Sequence, residues 1–270
     1  PQPTLPGTIH TVAEEIRALN SGAGALAFKL DVRSEDSCRA CAKAAFDQFG
    51  SVDILINNAS ALWWQDIADT PMRKYDLITQ VNVRGTFCMT SCCLPYMAKN
   101  SWGRVVTMSP AISPDYSRYA GATAYNISKM GMSMVAMGVA AEYKGKGIIA
   151  NTLWPATIIE SLASINFKLG DKKAWRKASI IADATAGLVC ETNDFTGRML
   201  IDDEYLRERH GFDDADFVPY RCDPNFEPAR SLAAANGSVT GHVKRGEVGR
   251  LDRDIKNSGQ SALNPSKSKL

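Results

Sequence analysis

Tyr125 and Lys129 stand four residues apart in the run AYNISK, inside a segment rich in Ala, Met and Gly. On an α-helix that spacing puts both side chains on one face, a turn apart, so the amine can lie near the phenol hydroxyl. A free phenol, with a pKa of about 10, is a poor proton carrier at neutral pH. A nearby ammonium favours the phenolate and brings the group toward the working range, where it can exchange a proton with an oxygen of a bound molecule. Spacing alone does not distinguish this pair from two neighbours on an ordinary helix surface. The other motifs of the chain decide.

Four of them bear on it. Leu30-Asp31-Val32 ends an apolar run with a carboxylate able to accept from an exocyclic amine such as that of adenine. Asn57-Asn58-Ala59-Ser60 ends a second run with small residues, which let a ligand approach the backbone closely. Val81-Asn82-Val83 places an amide midway along a helical stretch, where Asn is disfavoured unless it has a polar task. Asn151-Thr152-Leu153-Trp154-Pro155-Ala156-Thr157 leaves a third run through a proline turn.

The elements that position these motifs alternate short β-rich runs with longer amphipathic ones, the pattern of a parallel sheet flanked by helices. The spacing predicts a helix over 11–20, a strand over 25–30 (ALAFKL), and a helix over 34–49 capped by Ser34. It then predicts a buried strand over 52–57, a long helix over 71–99 opened by Pro71 at its first turn, and a strand over 104–108. A helix over 120–143, a strand over 148–153, weaker helices and a last short strand over 198–202 complete the order. The fold class expected is α/β, a doubly wound parallel sheet, and the motifs fall at strand ends, where such sheets gather ligands.

With 270 residues, 45% of them hydrophobic, the chain can bury one sizeable core, and its net charge of +2 carries no nucleic-acid signature. No apolar run approaches the roughly eighteen residues of a membrane span, and the first residues lack the basic start and apolar core of a signal peptide. A soluble, intracellular chain is expected. Seven cysteines scattered through apolar helical stretches fit reduced core thiols, and Cys38-Arg39-Ala40-Cys41 reads as two small residues on a helix. The three histidines have no partners at ligand spacing, and no metal site is expected. Beyond about residue 230 apolar residues thin out, which predicts a main domain over 1–230 and a disordered tail over 231–270.

Taken in this order, the motifs resemble the short-chain dehydrogenase/reductase family over roughly residues 8 to 205. The runs Leu5-Pro6-Gly7-Thr8-Ile9, Asn82-Val83-Arg84-Gly85-Thr86 and Ile180-Ile181-Ala182-Asp183-Ala184, with Ile201-Asp202-Asp203-Glu204, are similar to a hydroxysteroid-dehydrogenase-like branch of it. The resemblance implies a Rossmann-type fold and an NAD(P)-dependent oxidoreductase that interconverts a hydroxyl and a carbonyl. Tyr125 is then the proton donor or acceptor, Lys129 binds the nicotinamide ribose, and Asn82 holds a water that extends the proton relay. By the same resemblance Asp31 and Val32 face the adenine, Asn58, Ala59 and Ser60 the adenosine side, and Pro155 with Thr157 the nicotinamide carboxamide. The branch points to NADP rather than NAD and to a lipid-like or acyl substrate, with Trp63, Trp64 and Phe167 as pocket walls. The long helices around Asn82 and Tyr125 resemble the family's dimer surfaces, which implies a homo-oligomer.

The chain departs from the family at three places. Pro110 takes the strand-based position of the catalytic serine; Ser109 beside it is expected to point away, and Ser113, twelve residues before Tyr125, is the favoured candidate. That departure keeps open a second reading, a non-catalytic relative acting as a binding or assembly module. Ser60 and Ala156 replace glycines of the pattern. The family's opening strand, glycine-rich phosphate turn and second strand do not occur, so an N-terminally incomplete domain is expected, with 25–30 lacking a neighbour and 52–57 left at an open edge. The chain ends Ser268-Lys269-Leu270, a receptor-read peroxisomal address, which implies a peroxisomal import receptor as partner and a peroxisome or related organelle such as the glycosome as location.

Overall fold

A computed structural model describes residues 7–19 and 22–233. Its centre is a sheet of four parallel strands in the order β1 (Ile54–Asn57), β2 (Gly103–Met108), β3 (Ile148–Trp154) and β4 (Met199–Ile201). The helices are α1 (Ile9–Ala18), α2 (Glu35–Phe49), α3 (Met72–Thr79), α4 (Gly85–Asn100), α5 (Thr123–Glu142), α6 (Leu162–Asn166), α7 (Ser179–Val189) and α8 (Asp202–His210).

Alternation along the strands divides the core in two, because successive strand residues face opposite sides of the sheet. Val105, Ile148 and Ala150 face α2, α4 and α5, meeting Cys38, Cys93, Met97 and Ala136. Val106 and Leu153 face the other side and meet Ile180, Ala184 and Leu188 of α7 and Leu206 of α8. The doubly wound arrangement expected from the sequence is therefore present. The cysteines of the first core are reduced, and burial pushes the Cys38 and Cys93 thiols up to about 12, so they act as small apolar packing groups.

Ser34 caps α2 as expected, its hydroxyl accepting from the Ser37 N–H at 3.2 Å. Three expectations need correction. Residues 25–30 form no strand, because among the described residues no strand lies beside them to supply ladder hydrogen bonds; β1 is accordingly the edge of the sheet. For the same reason β1 is not buried throughout, and Ile54 and Ile56 are exposed. The helix over 71–99 runs through with helical backbone, but Pro71 is the cap that precedes α3 rather than part of its first turn, and Gln80–Arg84 widen into a π-turn between α3 and α4. Such widened turns accompany sites where a helix must present a group out of register, and this one is centred on Asn82.

Residues 231–233 of the expected tail are described, and Leu232 packs against the core beside Trp154. The rest of the tail, with its Ser-Lys-Leu ending, lies outside the described residues.

Candidate active site

Tyr125 and Lys129 lie one turn apart on α5 and are buried, at 7% and 4% exposure. The Lys129 Nζ donates to the Met108 carbonyl oxygen at the end of β2, 2.8 Å away, and stands 6.0 Å from the centre of the Tyr125 ring and 5.6 Å from that of Trp154. It forms no ion pair among the described residues. Burial lowers its pKa to about 7, because a charged amine loses its hydration there. Burial raises the Tyr125 phenol above its ordinary value. The sequence led us to expect that the ammonium would pull the phenol down; burial shifts it upward instead.

Trp64 closes the site. Its ring meets the Tyr125 ring edge-on at 5.9 Å and leans on Phe167 at 5.6 Å, so Trp64 covers the phenol and Phe167 backs Trp64. The Trp64 indole Nε1 is buried without a hydrogen-bond acceptor. Trp63 turns away instead, donating to Gln65 Oε1 at 3.0 Å with the Lys74 ammonium over its ring.

Asn82 reaches the site through the π-turn. Its Oδ1 accepts from the Ala61 N–H at 2.7 Å, and its Nδ2 donates to the Ala61 carbonyl at 2.9 Å and to Ser128 Oγ at 2.8 Å. Ser128 in turn donates to the Tyr125 carbonyl at 2.7 Å. The buried amide thus ties the loop after β1 to the turn of α5 that carries the tyrosine. Close approach makes this tie possible, since a Cβ on Gly131 would come within 2.8 Å of Val83. Sequence reading passed over Ser128, although a serine inside a helix is itself a signal of a local hydrogen bond.

The remaining candidates divide. Pro155 and Thr157 follow β3 directly, and Thr157 is fully buried. The turn between them is held at Ala156, whose N–H donates to Asp202 Oδ1 at 2.8 Å. Asn58, Ala59 and Ser60 are exposed at the carboxyl end of β1. Val32 packs on Gly85, where a Cβ would come within 2.8 Å of its methyl. The Asp31 carboxylate is exposed and already engaged by Arg33, with Nε at 2.9 Å and Nη2 at 2.7 Å; these hydrogen bonds hold its pKa down at about 2. Ser113 is half-buried, its hydroxyl accepting from the Asp115 N–H at 3.2 Å, and it lines a cavity of about 220 Å³ with Trp154, Asn126 and Leu232. Ser109 is fully buried, its hydroxyl accepting from Ser133 Oγ of α5 at 2.9 Å.

A parallel sheet with a buried tyrosine and lysine at its carboxyl edge defines a class that comparison with known proteins identifies. The family model for short chain dehydrogenases matches residues 5–165, and the chain belongs to that family, whose members are oxidoreductases using NAD or NADP. Among its relatives, hydroxysteroid dehydrogenase-like protein 2 of Xenopus laevis is 41% identical over 215 residues, which cover 79% of this chain and 51% of that protein. The human protein of the same name is 40% identical over 209 residues, 77% of this chain and 49% of the relative. The chain spans about half the length of these curated relatives. Of solved structures, a Xanthomonas campestris protein assigned as a dehydrogenase superposes with a TM-score of 0.79 at 40% identity, covering 86% of this chain and 84% of the other. A short chain dehydrogenase of Mycobacterium thermoresistibile gives 0.77 at 35% identity, covering 85% and 80%.

The residues present fit a nicotinamide dinucleotide at one end of the site. In its ammonium form Lys129 has three N–H donors, of which the Met108 carbonyl takes one, which leaves donors for the vicinal hydroxyls of a ribose. Asp31, already paired with Arg33, would have to leave that partner to meet a ligand.

Proposed function

We propose that this chain carries an NADP-dependent oxidoreductase site that interconverts a hydroxyl and a carbonyl on a lipid-like or acyl substrate. One observation carries the reading: Tyr125 and Lys129 are buried side by side at the carboxyl edge of a parallel sheet, and the lysine lacks an ionic partner among the described residues. A nicotinamide held beside Tyr125 and Lys129 would supply or take up the hydride. Tyr125 gives or receives the proton at the substrate oxygen, and Lys129 holds the ribose and, when protonated, places a positive charge beside the phenol. Asn82 extends the proton relay, its side chain meanwhile fixing the helix turn under Tyr125. Ser113 orients the substrate oxygen from the facing loop. Asp31 and Val32 hold the adenine, Asn58, Ala59 and Ser60 the adenosine side, and Pro155 and Thr157 the carboxamide.

The apolar surroundings of Tyr125, with Trp64, Phe167, Ile158 and Leu169, suit a hydrocarbon substrate better than a sugar or a charged one. A peroxisomal or related organellar location is part of the proposal, on the run Ser268-Lys269-Leu270 that an import receptor can read as an address. Phe87 of α4 and Met134 of α5, each 63% exposed along neighbouring helices, support self-association through that face.

The seal that Trp64 forms over Tyr125, with Pro110 at the serine position, favours a second reading as a non-catalytic binding module. Consumption of NADPH and of NADH with a panel of aliphatic and sterol ketones separates the two. Turnover on at least one apolar ketone supports the enzyme, and dinucleotide binding without turnover on any supports the module.

A further inference from the structure

The last described segment returns across the carboxyl edge of the sheet and is fastened at three points. Glu227 accepts from Arg176 Nη2 at 3.0 Å, and Arg176 is itself buried. Arg230 grips Asp203 with two donors, Nε to Oδ2 at 2.8 Å and Nη2 to Oδ1 at 2.8 Å, and reaches Glu204 Oε1 at 2.6 Å. Two residues on, the Leu232 N–H donates to the Ala156 carbonyl at 3.0 Å, while its side chain packs with Trp154.

These contacts close a ring. The Ala156 N–H is held by Asp202, Asp202 adjoins Asp203, Asp203 is clasped by Arg230, and Arg230 seats Leu232 on the Ala156 carbonyl. Both backbone groups of Ala156 are therefore engaged, one from the start of α8 and one from the returning segment. Pro155 before it has no N–H to offer, so Ala156 anchors the turn. An exposed ion pair would fix little, but Asp203 is 3% exposed and is met in the two-pronged geometry that gives arginine–carboxylate pairs their strength.

We infer that Arg230 is a positioning residue for the turn at Pro155, Ala156 and Thr157, acting through Asp203 and Leu232. The inference rests on the proposed function in one respect, that this turn meets the nicotinamide carboxamide. It makes the segment over 227–233 part of the apparatus that shapes the site, although it lies outside the span matched by the family model.

The test uses the full chain and two variants. Arg230→Ala keeps the fold, because Arg230 is half-exposed and Asp203 retains Arg176 at 3.3 Å. Leu232→Pro leaves the clasp and removes the N–H that holds Ala156. Amide hydrogen exchange over residues 155–157, NADPH affinity by fluorescence titration and thermal melting are measured together. Both variants are expected to exchange about 10-fold faster over 155–157 and to bind NADPH about 10-fold more weakly, with melting temperatures close to wild type. Arg230→Lys, which keeps the charge but not the fork, is expected to fall between. Unchanged exchange over 155–157 in Arg230→Ala overturns the inference, as does a loss of affinity that only follows a loss of melting temperature. Faster exchange in the variants with a wild type that binds neither NADPH nor NADH overturns instead the functional reading on which the carboxamide contact depends.

Discussion

Lys129 reaches past the Tyr125 ring, 6.0 Å from its centre, to donate to the Met108 carbonyl, and the two groups titrate in opposite directions because both are buried. The amine, at about 7 in the folded chain against 10.5 when exposed, binds fewer protons folded than unfolded between those values. Stability therefore rises with pH across that window, and the full cost of burying the ammonium is present below about 7. The raised phenol acts in the opposite sense above its ordinary value, near 10. Urea unfolding from pH 6.5 to 9.5 is expected to show an increasing midpoint that Lys129→Met flattens, with the variant the more stable at pH 6.5. A wild-type midpoint that falls over this range would contradict the burial of Lys129.

Trp64 permits a sharper distinction between packing and polarity. Its ring is 8% exposed and its indole N–H meets no acceptor. Trp64→Ala should cost about 3 to 5 kcal/mol, the usual range for deleting a large buried ring. Trp64→Phe removes the unpaired N–H as well as volume and should cost less than half as much. Equal losses in the two variants, measured by chemical denaturation, would mean that the indole nitrogen has a partner.

Asn82 is expected to matter for the fold as well as for the chemistry. Asn82→Ala takes the partner from the half-buried Ala61 N–H and carbonyl and one of two partners from Ser128 Oγ, at up to about 1 to 3 kcal/mol for each group left unsatisfied. Limited proteolysis should show earlier cleavage in the loop over 58–61, since that loop is tied to α3 and α4 through this amide. Cleavage at the wild-type rate would remove the tie.

Ser113 and Ser109 give opposite expectations. Ser113→Ala loses one acceptor for the Asp115 N–H, so its melting temperature should stay near wild type while kcat falls roughly 100-fold, as when a positioned donor is removed. Ser109→Ala breaks a buried contact with Ser133 and should lower the melting temperature with little effect on kcat in the folded fraction. A reversal of these two patterns would move the orienting role to Ser109.

What the sequence made legible was local. Ser34 as a cap, the cores of β2 and β3, the span of α5 and the shared face of Tyr125 and Lys129 all follow from spacing within one element. The misreadings involve partners distant in the chain. Residues 25–30 have strand composition, but a strand is made by its neighbour. The widening at Gln80–Arg84 follows from Val83 nesting on Gly131 and Asn82 reaching Ser128, contacts that periodicity cannot reveal. Trp64 covers Tyr125 from a loop distant in the chain, and the ring through Ala156, Asp203 and Arg230 joins segments more than twenty residues apart.

The most direct test of the account is transfer of deuterium from C4-deuterated NADPH to an apolar ketone, measured by mass spectrometry of the alcohol product in wild type and Tyr125→Phe. Wild type is expected to place the label on the carbinol carbon. Tyr125→Phe should lower the rate by about 100-fold or more while NADPH affinity and the melting temperature stay close to wild type, since only the hydroxyl is lost. Transfer at the wild-type rate by Tyr125→Phe would contradict the assignment of Tyr125 as the proton donor.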